Sequence, residues 1–152
     1  MNLKRVELGK VLPLNTPFSV YIYPIYSCNF KCGYCIRSLS SDELTKKGLN
    51  NKILNMENFK QIVENLKEFP ERIKSIQFSG YGEPLLHPNI AEMVKILKNA
   101  DVAERVEIIT NGSLLTHKLS DDLIDAGLDR LRVSIQGITS EKYQEIGRAH
   151  VW

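Results

Sequence analysis

One feature constrains the fold before any other: a strand-like run followed by a helix-like run, four times over. "FSVYIYPIY" (Phe18 to Tyr26) is rich in aromatic and β-branched residues and reads as a strand. A polar stretch, "SLSSDELTKKGLNNK", reads as a loop. "NMENFKQIVENLKEF" then places Phe59, Ile62, Val63, Leu66 and Phe69 at helical spacing, with Asn55 as N-cap and Pro70 as its end. "IKSIQFS" (Ile73 to Ser79) is the second strand. "NIAEMVKILKNA" puts Ile90, Met93, Val94 and Leu97 on one helical face. "RVEIIT" (Arg105 to Thr110) is the third strand. "LSDDLIDAG" is a short helix with acidic residues in its first turn and Gly127 as its stop. "RLRVSI" (Arg130 to Ile135) is the fourth strand, and "TSEKYQEI" opens a fourth helix capped by Thr139 or Ser140. Repeated strand–helix units imply an α/β fold with a parallel sheet and right-handed crossovers. Four such units do not close an eight-stranded barrel. They make a small open sheet or part of a larger barrel.

Composition narrows the class. With 152 residues, 43% of them hydrophobic, the chain is one domain's worth and can bury a real core. A net charge of +2 favours neither nucleic acid nor an acidic membrane surface. The N-terminal "MNLKRVELGKVLPLN" has no continuous apolar run, and no stretch approaches a membrane span. The expected location is the cytoplasm, where thiols stay reduced.

The chain has only three cysteines, all within "CNFKCGYC", Cys28 to Cys35. An odd count in a reducing compartment points to metal or redox chemistry. Three thiolates do not complete a tetrahedral zinc site, so a zinc-binding module would draw a fourth ligand from His87, His117 or His150. "CGYC" also fits a thiol–disulfide oxidoreductase using Cys32 and Cys35, which leaves Cys28 unexplained. A four-iron cluster uses all three sulfurs and leaves one iron open.

Parallel α/β folds place their chemistry at the carboxyl ends of the strands. Here the strands run into "SCNFKCGYC", "SGYGEP", "TNG" and "SIQG". Gly80 and Gly82 bracket Tyr81, so backbone can approach a ligand closely, and Glu83 follows, either as an exposed carboxylate in a turn or as a carboxylate aimed at a ligand ammonium. This is not a phosphate loop, because the lysine and the immediate helix start are missing.

Together these residues resemble the radical S-adenosylmethionine enzymes. "CNFKCGYC" matches that family's CxxxCxxC signature, including the aromatic residue before the last cysteine. "GYGEP" is similar to its glycine–glutamate motif, and "TNG" and "SIQG" fall where its third and fourth strands make contacts. The resemblance spans roughly Phe18 to Ile146. It implies a partial (β/α) barrel, of which this chain would hold about four of six units. Residues 1–17 would be an N-terminal extension and 18–145 a partial catalytic core.

The resemblance also implies a [4Fe–4S] cluster on Cys28, Cys32 and Cys35, with S-adenosylmethionine on the open iron. Reductive cleavage would give a 5′-deoxyadenosyl radical that takes hydrogen from a substrate, peptide or small molecule. Tyr34 would lie against the adenine. Gly80, Gly82 and Glu83 would face the methionine ammonium, and Asn111 and Ser134 the ribose or carboxylate. Gln136 stands where many relatives have aspartate. An electron donor such as flavodoxin or ferredoxin would be a partner. The final "IGRAHVW", 146–152, breaks the pattern and resembles the translation of a sequencing-adapter read-through, so it is set aside from the fold. A chain of four units is expected to turn over little by itself.

Overall fold

The computed structural model describes residues 7–135, 137 and 139–145. Gln136 and the expected non-native tail, 146–152, lie outside the described residues. Four strands form one sheet: β1 (Ser19–Ile22), β2 (Ser75–Phe78), β3 (Val106–Thr110) and β4 (Arg130–Val133). They lie in chain order and every pair is parallel, as the repeated pattern implies.

Among the described residues five α-helices accompany them: α1 (Ser41–Lys46), α2 (Met56–Leu66), α3 (Ile90–Ala100), α4 (His117–Asp125) and α5 (Ser140–Glu145). Chain-order parallel pairing with crossovers of one hand places successive helices on the same side of the sheet. Accordingly α2 packs on α3 and α3 on α4.

Alternation along each strand then divides the sheet into two faces. On the helix side Ile22, Ile76, Phe78, Val106 and Ile108 are buried against Phe59 and Val63 of α2, Met93, Val94 and Leu97 of α3, and Leu123 of α4. The rings of Phe59 and Phe78 are 6.1 Å apart, centroid to centroid. The second face carries Ser75, Gln77, Glu107, Arg130 and Arg132.

A polar ladder joins the residues of that second face. Ser19 and Ser75 hydroxyls are 3.0 Å apart, and the Gln77 amide donates to Ser75 at 3.4 Å. Arg132 donates to the Gln77 carbonyl oxygen. Glu107, 1% exposed, is met by Arg105, by Arg132 at 3.2 Å and by Arg130 at 3.7 Å.

Local signals set the helix boundaries. Asn55 caps α2, accepting from the Asn58 amide at 2.8 Å, as its sequence position implies. The acidic first turn expected for α4 is corrected: the helix begins earlier, at His117. Thr116 is its cap, accepting from the Leu119 amide at 3.1 Å, so the aspartates fall in mid-helix. The polar stretch expected to be a loop contains α1, nucleated by a complete capping box between Ser40 and Glu43. β1 is shorter than its apolar run, because Pro24 lacks the amide a ladder needs. Beyond it, Ile25 makes an isolated antiparallel bridge to Ile53.

Candidate cofactor site at the strand ends

Three loops meet at the carboxyl end of the sheet. The first leaves β1 and holds all three cysteines. Its entry is tied to the segment before α2, with Tyr26 donating to Lys52 O at 2.8 Å and Leu54 to Pro24 O at 2.8 Å. Phe30, 6% exposed, anchors its middle in the protein. Its exit is held by Arg37, a buried guanidinium that donates to Leu49 O at 2.8 Å and to Asn51 Oδ1 at 2.7 Å. Sequence reasoning passed over Arg37. Its only signal was an arginine two residues beyond the last cysteine.

All three thiols are free. Cys32 is buried, while Cys28 and Cys35 are half-buried. Burial raises the Cys28 pKa. The Phe30 amide, 3.4 Å from its sulfur, works against this, and the charges of Glu83 and the other two cysteines add to it. Cys35 sits at the start of a short 3-10 turn, with its amide donating to Cys32 O at 2.8 Å.

The second loop follows β2 and carries Gly80, Gly82 and Glu83. Their spacing suggests room for a ligand, but the atoms next to the glycines belong to the protein. Gly80 has φ +111°, and a Cβ there would lie 1.4 Å from the Tyr23 ring. A Cβ on Gly82 would lie 2.1 Å from the carbonyl oxygen of Ile25 and 2.6 Å from that of Ser27. The close approach is therefore to the entry of the cysteine loop. The Glu83 amide donates to Ser27 O at 2.9 Å, fastening the same contact. Tyr81, between the glycines, stacks on Tyr23 with centroids 5.6 Å apart.

Glu83 is 2% exposed, and both its oxygens are engaged within the protein. Oε1 accepts from the Leu85 amide at 3.0 Å and the Thr110 hydroxyl at 2.6 Å. Oε2 accepts from the Asn111 amide at 2.8 Å. In the third loop, the Asn111 side chain donates to Asn29 Oδ1 at 3.0 Å and lies 4.0 Å from Cys28 Sγ. Ser134, at the end of β4, donates its amide to Thr110 O at 2.8 Å. Tyr34 is 59% exposed beside the cysteines. The structure thus brings the cysteine, Gly-x-Gly-Glu and Thr-Asn-Gly loops together at one end of the sheet.

The chemistry of the donor set decides what these loops suit. His87 is buried and both its ring nitrogens are used: Nε2 donates to Leu54 O at 2.9 Å, and Nδ1 accepts from the Asn89 amide at 3.2 Å. It is not a fourth zinc ligand. His117 opens α4, and His150 lies outside the described residues. Among the described residues no group of three or more His, Cys, Asp or Glu side chains gathers to hold a single ion. A four-iron cluster asks instead for one ligand per iron; three free thiols on one loop supply three of them and leave the fourth iron open to another ligand. The residues present fit that group.

The comparisons with known proteins agree with this arrangement. The family model described as the radical SAM superfamily matches residues 22–152. The GTP 3′,8-cyclase of Lactiplantibacillus plantarum is 33% identical over 125 residues, covering 80% of this chain and 34% of that protein. The probable GTP 3′,8-cyclase of Methanococcus vannielii is 34% identical over 119 residues, covering 78% of this chain and 36% of that one. The chain therefore spans about a third of the length of the curated relatives it matches.

Among solved structures, BtrN in complex with AdoMet and 2-DOIA superposes with a TM-score of 0.66 at 25% identity, covering 86% of this chain and 50% of that one. Methylornithine synthase (PylB), at 18% identity, TM-score 0.62 and coverage of 88% and 37%, shares the fold. Members of the matched family use a [4Fe–4S] cluster and S-adenosylmethionine. With the cysteine loop, the glycine–glutamate loop and the parallel sheet all in their places, this chain belongs to the radical SAM enzyme superfamily.

Proposed function

We propose that this chain forms the cofactor-bearing part of an enzyme that cleaves S-adenosylmethionine reductively. The observation that carries the reading is the meeting of a three-cysteine loop with the Gly-x-Gly-Glu and Thr-Asn-Gly loops at the strand ends. Cys28, Cys32 and Cys35 are assigned as the cluster ligands. When bound, the cluster and S-adenosylmethionine together supply a 5′-deoxyadenosyl radical, which takes a hydrogen atom from the substrate. The protein's part is to hold three thiols on an anchored loop and to shield them. Phe30 and Arg37 fix that loop's middle and exit. The exposed Tyr34 ring and the backbone around Gly80, Gly82 and Ser134 are assigned to bordering the cofactor.

The substrate reading is narrower. The identity to proteins named GTP 3′,8-cyclase favours a small molecule over a peptide, and GTP is the molecule their names supply. A flavodoxin or ferredoxin is the proposed electron donor and the cytoplasm the proposed location. Among the described residues no helix is long and apolar enough to cross a membrane.

Anaerobic reconstitution with iron and sulfide tests the core of the reading. A broad brown absorbance that disappears on Cys→Ala at any of the three positions supports it. A colourless protein retaining one zinc per chain refutes it. For the substrate, 5′-deoxyadenosine yield is compared with and without GTP; equal yields remove GTP.

A further inference from the structure

We propose that Glu83 acts as a positioning residue, a latch that holds the three strand-end loops together, rather than as a ligand of the cofactor. The inference rests on the cofactor-site reading above and assigns Glu83 and Asn111 a part within it. A carboxylate only accepts hydrogen bonds, and this one is buried with three protein donors already on it: Leu85 N, Thr110 Oγ1 and Asn111 N. Leu85 belongs to the second loop's own turn, while Thr110 is the last residue of β3 and Asn111 opens the third loop. The carboxylate thus ties β2's loop to β3's.

The tie continues to the cysteines. Asn111 donates to Asn29 Oδ1, and its own Oδ1 accepts from the Ser113 amide at 2.9 Å and hydroxyl at 2.6 Å. Asn29 Nδ2 donates back to Ser113 Oγ at 2.8 Å, closing a ring between the cysteine loop and the third loop. From the other side Glu83 N holds Ser27 O, one residue before Cys28. The glycines agree with this role, since the space beside each is filled by the first loop and its entry strand.

The alternative is that the Glu83 carboxylate meets a ligand ammonium directly. The two differ in the protein without any cofactor. A ligand role alone makes no demand on the exposure of the cysteine loop in the free protein. A latch makes the cysteine loop depend on them.

The test uses the cofactor-free chain, its thermal melting and the rate at which its thiols react with dithiobis(nitrobenzoate). Glu83→Gln places an amide N–H₂ against donors that need an acceptor, and should lower the melting temperature. Beside burial, the Glu83 charge itself raises the Cys28 pKa, so this variant also changes thiol reactivity directly. Two charge-neutral variants therefore carry the decision. Thr110→Val removes the hydroxyl at the latch and should speed labelling roughly tenfold while lowering the melting temperature. Asn29→Ala, at an exposed position, should speed labelling by a smaller factor with melting nearly unchanged.

Wild-type labelling rates in both charge-neutral variants, or an unaltered melting temperature in Glu83→Gln, would overturn the latch. Because these readings need no iron, failure of the latch is distinct from failure of the cofactor assignment, which cluster loading decides.

Discussion

The two faces of the sheet are built from the same strands by opposite means. The helix side is held chiefly by apolar burial: Ile76, Phe78 and Ile108 are fully buried among the side chains of three helices. The second face is held by a hydrogen-bonded ladder that ends on Glu107 and its arginines. The first kind of stability is non-directional and scales with area removed from water. The second is directional and depends on every partner being present. A fully packed barrel interior would be lined with Val, Ile and Leu. This face carries Ser75, Gln77 and Glu107 instead, buried and joined by that ladder.

Four substitutions break or sharpen this contrast. Phe78→Ala on the helix side should have the largest effect, about 3–5 kcal/mol, because it leaves a cavity among Phe59 and its neighbours. Urea unfolding reads it, and added salt should not change the difference. Arg132→Met on the second face should cost less, about 1–3 kcal/mol, since Arg130 and Arg105 stay beside Glu107. Its cost should shrink in high salt. An equal, salt-independent loss would mean that the ladder contributes by packing.

Asp129→Asn comes third, at about 1–2 kcal/mol. Asp129 ties the helix layer to the sheet, accepting from Lys98 of α3 at 2.8 and 2.9 Å and from the Val106 amide at 2.7 Å. Burial pushes its carboxyl pKa up, but the bonds from Lys98 and Val106 and the charges of Lys98 and Arg105 outweigh it, leaving the pKa lowered. A lowered folded-state value gives stability that is present above the ordinary carboxylate pKa and lost as pH falls through the folded one. The gap between wild type and Asp129→Asn should therefore be full at neutral pH and close below about pH 4. A gap unchanged in acid would show that the charge is irrelevant. Lys67→Ala removes a solvent-exposed pair with Glu64 that belongs to neither face, and should cost no more than about 0.5 kcal/mol in the same unfolding assay.

The sheet was legible in the sequence because each strand and helix announces itself by period. Ile76, Phe78, Val106 and Ile108 alternate, and Met93, Val94 and Leu97 recur at helical spacing. The cysteine spacing and the Gly-x-Gly-Glu stretch pointed to the strand ends, where the three loops meet. What they touch was not legible. Gly80 and Gly82 read as room for a ligand, whereas Tyr23 and two carbonyls occupy that space, a tertiary fact with no local signature. Glu83 read as a free carboxylate because its donors Thr110 and Asn111 lie more than two dozen residues further along. By contrast α1 was readable from Ser40 and Glu43, three residues apart, and was hidden only by the polarity around it.

The distances in sequence across the strand-end latch set an order of events during synthesis. The bond from Asn111 to Asn29 spans 82 residues, and that from Asn29 to Ser113 spans 84. At an elongation rate of about 5–20 residues per second, the cysteines leave the ribosome roughly 4 to 16 seconds before the residues that close over them exist. During that interval three thiols sit on a loop with no third-loop partner, open to oxidants and to any passing metal. On this reading the latch is also a clock: whatever loads the cysteine loop would meet it open early and closed late.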